Sequence, residues 1–120
     1  VELHWYRLIS AQAIDGDTVK CVVDLGFGVQ LSTTVRLLGV AAPELFSGDK
    51  RVEGEAARVF AQQWLDAHPR ALLHTEKLMS GGDKREKYGR YLGVIVAEDR
   101  AELNAAMIDS GHARRGTTKG

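Results

Sequence analysis

The hydrophobic pattern of the chain changes period several times. Residues 3–14 (LHWYRLISAQAI) carry apolar and aromatic residues in the manner of a first strand. IDGDT follows, an Asp-Gly turn that predicts a hairpin. TVKCVVDL reads as a second strand, LGFGVQ as a glycine-marked loop, and LSTTVRLLGV as a third strand. Residues 41–51 (AAPELFSGDKR) form a loop: Pro43 disfavours helix at Ala42, and Ser47-Gly48-Asp49 is turn chemistry. From Val52 to His68 the period becomes helical. Ala56, Phe60 and Trp64 recur four apart with Ala57, Ala61 and Leu65 beside them, while Arg58, Gln62 and Asp66 suit the opposite face. His68-Pro69 closes the helix. ALLHTEKLM predicts a fourth strand, SGGDKREK a charged loop and YGRYLGVIVAE a fifth strand. Residues 101–110 (AELNAAMIDS) form a short helix stopped by Gly111, and the tail HARRGTTKG reads as frayed. Three strands, a helix, two strands and a helix fit a mainly β, α+β domain: a five-stranded, partly open barrel of the OB type.

Composition narrows the picture. The chain's 120 residues suggest a single domain over 1–120, able to bury about 65% of its unfolded surface. No apolar run is long enough to span a membrane, so no membrane partner is expected, and the protein is expected to be a monomer. The first residue is Val rather than Met, which leaves two readings, a leader already removed from an exported protein or a trimmed chain. Lys plus Arg equals Asp plus Glu at 16 each, so indiscriminate coating of nucleic acid is disfavoured and any such contact must be local. Cys21 is the single cysteine, which excludes an intramolecular disulfide; its VKCVV setting reads as core. His4, His68, His74 and His112 are scattered without zinc-ligand spacing, and Trp5 and Trp64 sit in apolar-periodic segments that read as core.

Several polar residues fall at predicted strand ends. Asp15 and Asp17 flank Gly16; Arg36 interrupts the apolar third strand; Glu44 follows Pro43; Lys87, Tyr88 and Arg90 surround Gly89. Each has an ordinary reading. An Asp-Gly turn needs no ligand, Arg36 suits a carboxylate partner at the barrel edge, Glu44 suits solvent, and KREKYGR suits a charged loop.

Together they are more specific. AIDGDTVK, VRLLGVAAPE and EKYGRYLG, in that order and spacing and followed by NAAMIDSGHAR, resemble the staphylococcal nuclease (thermonuclease) family over roughly residues 8–115. The resemblance implies an OB-fold barrel with two or three helices packed on it and calcium-dependent hydrolysis of phosphodiester bonds in DNA and RNA. It implies Asp17 as a calcium ligand, Asp15 as an acid just behind it, and the Ala42 backbone carbonyl as a further ligand. Arg36 and Arg90 would bind the scissile phosphate, Glu44 would activate the attacking water, and Lys87 and Tyr88 would contact substrate. The chemistry is coherent. Calcium takes hard oxygen ligands, arginine grips phosphate with two parallel donors, and a glutamate near water is a general base. Together such groups must supply on the order of 20 kcal/mol of barrier reduction.

The sequence departs from the family at Ala41, where the resemblance places a second carboxylate ligand. Three readings stay open. Calcium binds more weakly, by on the order of 10- to 1000-fold. Asp15, Asp49 or Glu53 substitutes, or another metal is used. Or the domain is catalytically silent and binds nucleic acid or a protein. The tail departs too: ARRGTTKG lacks the family's aromatic segment, leaving Arg114 and Arg115 with charge but no stacking, which is worth about 1–3 kcal/mol per base.

Overall fold

The structure, a computed structural model, describes residues 5–43, 51–75 and 90–116. The elements run β1 (Trp5–Asp15), β2 (Thr18–Gly26), β3 (Val29–Leu37), β4 (Val40–Ala41), α1 (Arg51–Ala67), β5 (Leu72–Thr75), β6 (Tyr91–Val96), α2 (Leu103–Asp109) and β7 (Arg114–Arg115). Five strands close a barrel in the order β1-β2-β3-β6-β5, with β4 and β7 forming a separate two-stranded ribbon. The long β1–β2 and β2–β3 pairings are antiparallel hairpins, and β3 joins β6 in parallel at Val35↔Tyr91, Arg36↔Leu92 and Leu37↔Gly93. Closure comes at Trp5↔His74, Tyr6↔Leu73 and Arg7↔Leu72 between β1 and β5.

Alternation along the strands explains the core. Val19, Cys21 and Val23 of β2 and Val35 and Leu37 of β3 point inward and are buried, together with Leu73 and Ile95. Cys21 is core as expected, and burial pushes its thiol pKa up to about 11, which keeps it protonated and unreactive. Ala57, Ala61 and Leu65 of α1 and Leu103 and Met107 of α2 complete the same cluster. Trp64 packs against it, whereas Trp5 is half-buried at the seam, its ring 4.3 Å from that of His74.

Several features differ from expectation. The third strand stops at Leu37 rather than running to Val40: a turn at Leu38 and Gly39 sends Val40 and Ala41 out of the barrel to pair with β7. The tail is not frayed at Arg114 and Arg115, because Ala113 N–H donates to the Met107 carbonyl (2.9 Å) and Gly116 N–H to the Gly39 carbonyl (3.0 Å), tying both ends of β7 down. Gln62 does not sit on the outer face of α1. Beyond Arg7, β1 has no further pairing with β5, and Gln62 covers that open stretch. Its Oε1 accepts from Ala13 N–H (2.7 Å) and its Nε2 donates to the Ala11 carbonyl (3.4 Å). Ala56, by contrast, is exposed. Residues 76–79 of the predicted fourth strand and 88–89 of the fifth lie outside the described residues, as do the loop positions 44–50 and 80–87.

Two close packings hold the functional end together. Gly16 has no room for a side chain: a Cβ there would sit 2.6 Å from that of Ala42 and 2.7 Å from that of Ala57, so the β1–β2 turn, the loop after β4 and α1 meet in contact. Asn104, buried on α2, accepts from Ile95 N–H (3.2 Å) and donates to the carbonyls of Leu38 (3.0 Å) and Gly93 (3.2 Å). It thereby ties α2 to β6 and to the turn after β3. Replacing Asn104→Leu keeps the volume but strands these backbone groups, so urea unfolding should show a loss of about 2–4 kcal/mol. A loss below about 1 kcal/mol would mean the network is not holding the turn.

Candidate functional site

The β1–β2 turn, the end of β3, β4 and the start of β6 converge on one rim of the barrel. Thr18 lies directly opposite Arg36 across β2 and β3, which sets the turn acids beside the guanidinium. Asp17 is the hub. Its Oδ1 accepts from the Thr18 hydroxyl (3.1 Å), and its Oδ2 accepts from Ala42 N–H (3.0 Å) and lies 3.2 Å from Arg36 Nη1. Both side chains of this ion pair are only 15% exposed, so water screens it weakly. Arg36 Nη1 also donates to the Val40 carbonyl at 2.6 Å. Arg36 is thus the carboxylate-paired arginine of the ordinary reading, placed so that it staples β4 to the β1–β2 turn.

Arg90, just before β6, donates from Nη1 to the Thr18 hydroxyl (3.2 Å). Five expected site residues, Asp15, Asp17, Arg36, Ala42 and Arg90, therefore lie within one connected network, and Ala41 lies at its edge on β4. Glu44, Lys87 and Tyr88 lie outside the described residues. Thr18 was missed by sequence reasoning. It stands inside the IDGDT motif, but only the hairpin register shows it bridging Asp17 and Arg90.

Asp15 shares the turn. Its Oδ1 accepts from Asp17 N–H at 3.1 Å. Burial, and then the neighbouring Asp17 carboxylate, push its pKa up from 3.8 to about 6.

The described residues hold no ready-made cluster of ionisable metal ligands. No group of three or more His, Cys, Asp or Glu able to hold a metal ion occurs among them. Both Asp17 oxygens accept hydrogen bonds, and one of them also faces a guanidinium. The Ala41 methyl offers no donor and lies where a Cβ on Gly116 would be 2.6 Å away. Ala42 reaches the network through its N–H. A hard divalent cation needs several oxygens at once, and at Asp17 it would meet the Arg36 guanidinium.

The Asp15 shift has a sign that can be checked. Folded Asp15 holds its proton more tightly than the unfolded chain does, so it favours folding most below pH 3.8, and this contribution fades as pH rises to about 6. Between pH 4 and 7 the wild type should lose on the order of 1 kcal/mol relative to Asp15→Asn, a value discounted for the carboxyl's partial exposure. Urea unfolding of both proteins at the two pH values measures this, and a constant gap would refute the raised pKa.

With the rim in view, two comparisons bear on the chain. A family model described as Staphylococcal nuclease homologue matches residues 34–119. That range contains Arg36, Ala41, Glu44, Lys87, Tyr88 and Arg90, while Asp15 and Asp17 precede it. The chain is also 27% identical over 110 residues to a protein named Endonuclease YhcR from Bacillus subtilis (strain 168). The alignment covers 90% of this chain but 9% of that protein, so the likeness concerns one part of a much longer polypeptide. The closed five-stranded barrel, its two described helices and the match over most of its length show that this chain belongs to the staphylococcal nuclease homologue family.

Proposed function

We propose that the chain is a nuclease that hydrolyses phosphodiester bonds of DNA or RNA, with a weakened calcium site. The observation that carries the reading is the convergence of Asp17, Arg36 and Arg90 on one rim through Thr18, in the fold of a nuclease family. The endonuclease relative points the same way.

In this reading Arg36 and Arg90 approach the phosphate from β3 and from the start of β6, and their fixed positive charge favours the charge that develops on phosphoryl oxygens. Glu44 accepts the proton of the attacking water, and Lys87 and Tyr88 hold the neighbouring phosphate. Arg36 binds substrate by exchanging part of its contact with Asp17 for the phosphate. Calcium, general in this family, would add charge and orientation when bound. Its site here is weakened because Ala41 supplies no carboxylate and Arg36 competes for Asp17.

Two details favour a second reading, a silent OB module that binds nucleic acid or a protein partner: the Asp17–Arg36 ion pair and the methyl at Ala41. Cleavage assays separate the two. Single-stranded DNA and RNA should be cut slowly with calcium, and Arg90→Ala should lower the rate about 100-fold or more without unfolding the protein. No cleavage under any divalent metal would sink the nuclease reading. Ala41→Asp should tighten calcium binding by about tenfold or more in a calorimetric titration and raise the rate. An unchanged affinity would show that position 41 is not at the cation site.

A further inference from the structure

The tail strand changes what stands beside Asp17. In the ribbon, Ala41 is directly opposite Arg114, and opposed residues of an antiparallel pair project their side chains to the same face roughly 5 Å apart. Gly116 adjoins on that face, since a Cβ on it would press on the Ala41 methyl at 2.6 Å. A small residue at 41 and none at 116 therefore leave Arg114 as the side chain that extends from this face. Arg114 is exposed and has no ion-pair partner among the described residues. Its position is fixed by the backbone, through the Gly116 and Ala113 hydrogen bonds at the two ends of the strand.

The charge balance of the rim follows. The next residue after Ala41 donates its N–H to Asp17, so the ribbon and the Asp17–Arg36 pair are contiguous. Asp17 is neutralised by Arg36. Where a carboxylate at position 41 would add a negative charge to gather a cation, the ribbon adds a positive one. Arg114, on the ribbon next to the Asp17–Arg36 pair, offers an anion a positive charge that needs no metal.

We propose that Arg114 is a phosphate-binding residue and that this rim holds a nucleic-acid phosphate without a divalent cation. The proposal rests on the nucleic-acid reading above for its ligand, but not on catalysis. Arg114 supplies a positive charge of its own: its guanidinium offers paired N–H groups to phosphate oxygens. Arg115, the next residue along β7, projects to the opposite face and serves as the internal control.

The test is fluorescence anisotropy with a labelled oligothymidylate, run in EDTA and in excess calcium, alongside cleavage of the same strand. Wild type should bind equally in both conditions, within about twofold. Arg114→Ala should weaken binding in EDTA about fivefold or more and lower the salt slope by roughly 0.7, the value for one phosphate contact on a single strand. Arg114→Lys should recover part of the loss, and Arg115→Ala should change affinity less than twofold. Ala41→Asp should also weaken binding in EDTA, because its carboxylate would pair with Arg114. Thermal melts by circular dichroism confirm that each variant is folded; the β4–β7 pairing uses backbone groups, so Arg114→Ala should keep it.

Binding that requires calcium and survives Arg114→Ala overturns this proposal and leaves the nuclease reading standing. Metal-independent, Arg114-dependent binding with no cleavage under any metal upholds it and overturns catalysis. No binding in either condition overturns both.

Discussion

One carboxylate, that of Asp17, joins three separate pieces of chain. It sits on the β1–β2 turn, receives the Ala42 N–H from the segment after β4, and pairs with Arg36 of β3. An acid so placed and only 15% exposed has to be satisfied, and the partners it takes determine where β4 goes. Arg36, drawn to Asp17, also holds the Val40 carbonyl at 2.6 Å, which fixes the departure of the chain from the barrel after Leu37. The ribbon of β4 and β7 then forms on that fixed edge. The same pairing that shapes the rim also balances the charge of Asp17.

The barrel beneath it is built to hold that rim still. Gly16 lets the turn lie against Ala42 and α1 without a side chain between them, and Gln62 completes the hydrogen bonding of β1 where β5 does not reach. Asn104 does the same from α2, fastening Ile95, Gly93 and Leu38 at once. Both amides saturate backbone groups where the strand ladder gives out, a requirement that closing a short barrel imposes.

Substitution at Ala41 and the tail belong to one another. Ala41 faces Gly116 and Arg114, so a methyl, a bare glycine and an arginine occupy one face of the ribbon. Ala41 brings no charge to that face, and Arg114 brings a positive one.

The sequence by itself determined the barrel class, the order of the elements and the family, because alternation, the helical period of α1 and three spaced motifs are local properties. It also located Asp15, Asp17, Arg36 and Arg90 at strand ends. Only the tertiary structure decided which groups Asp17 bonds to, that Thr18 links it to Arg90, and that Gln62 faces β1. Those contacts join residues far apart in the chain, as with Arg90 and Thr18, 72 positions from one another. The sequence suggested a frayed tail, since Arg114-Arg115-Gly116 has no apolar periodicity to mark a strand. Its order comes from backbone hydrogen bonds to Gly39 and Met107, which no side-chain pattern records.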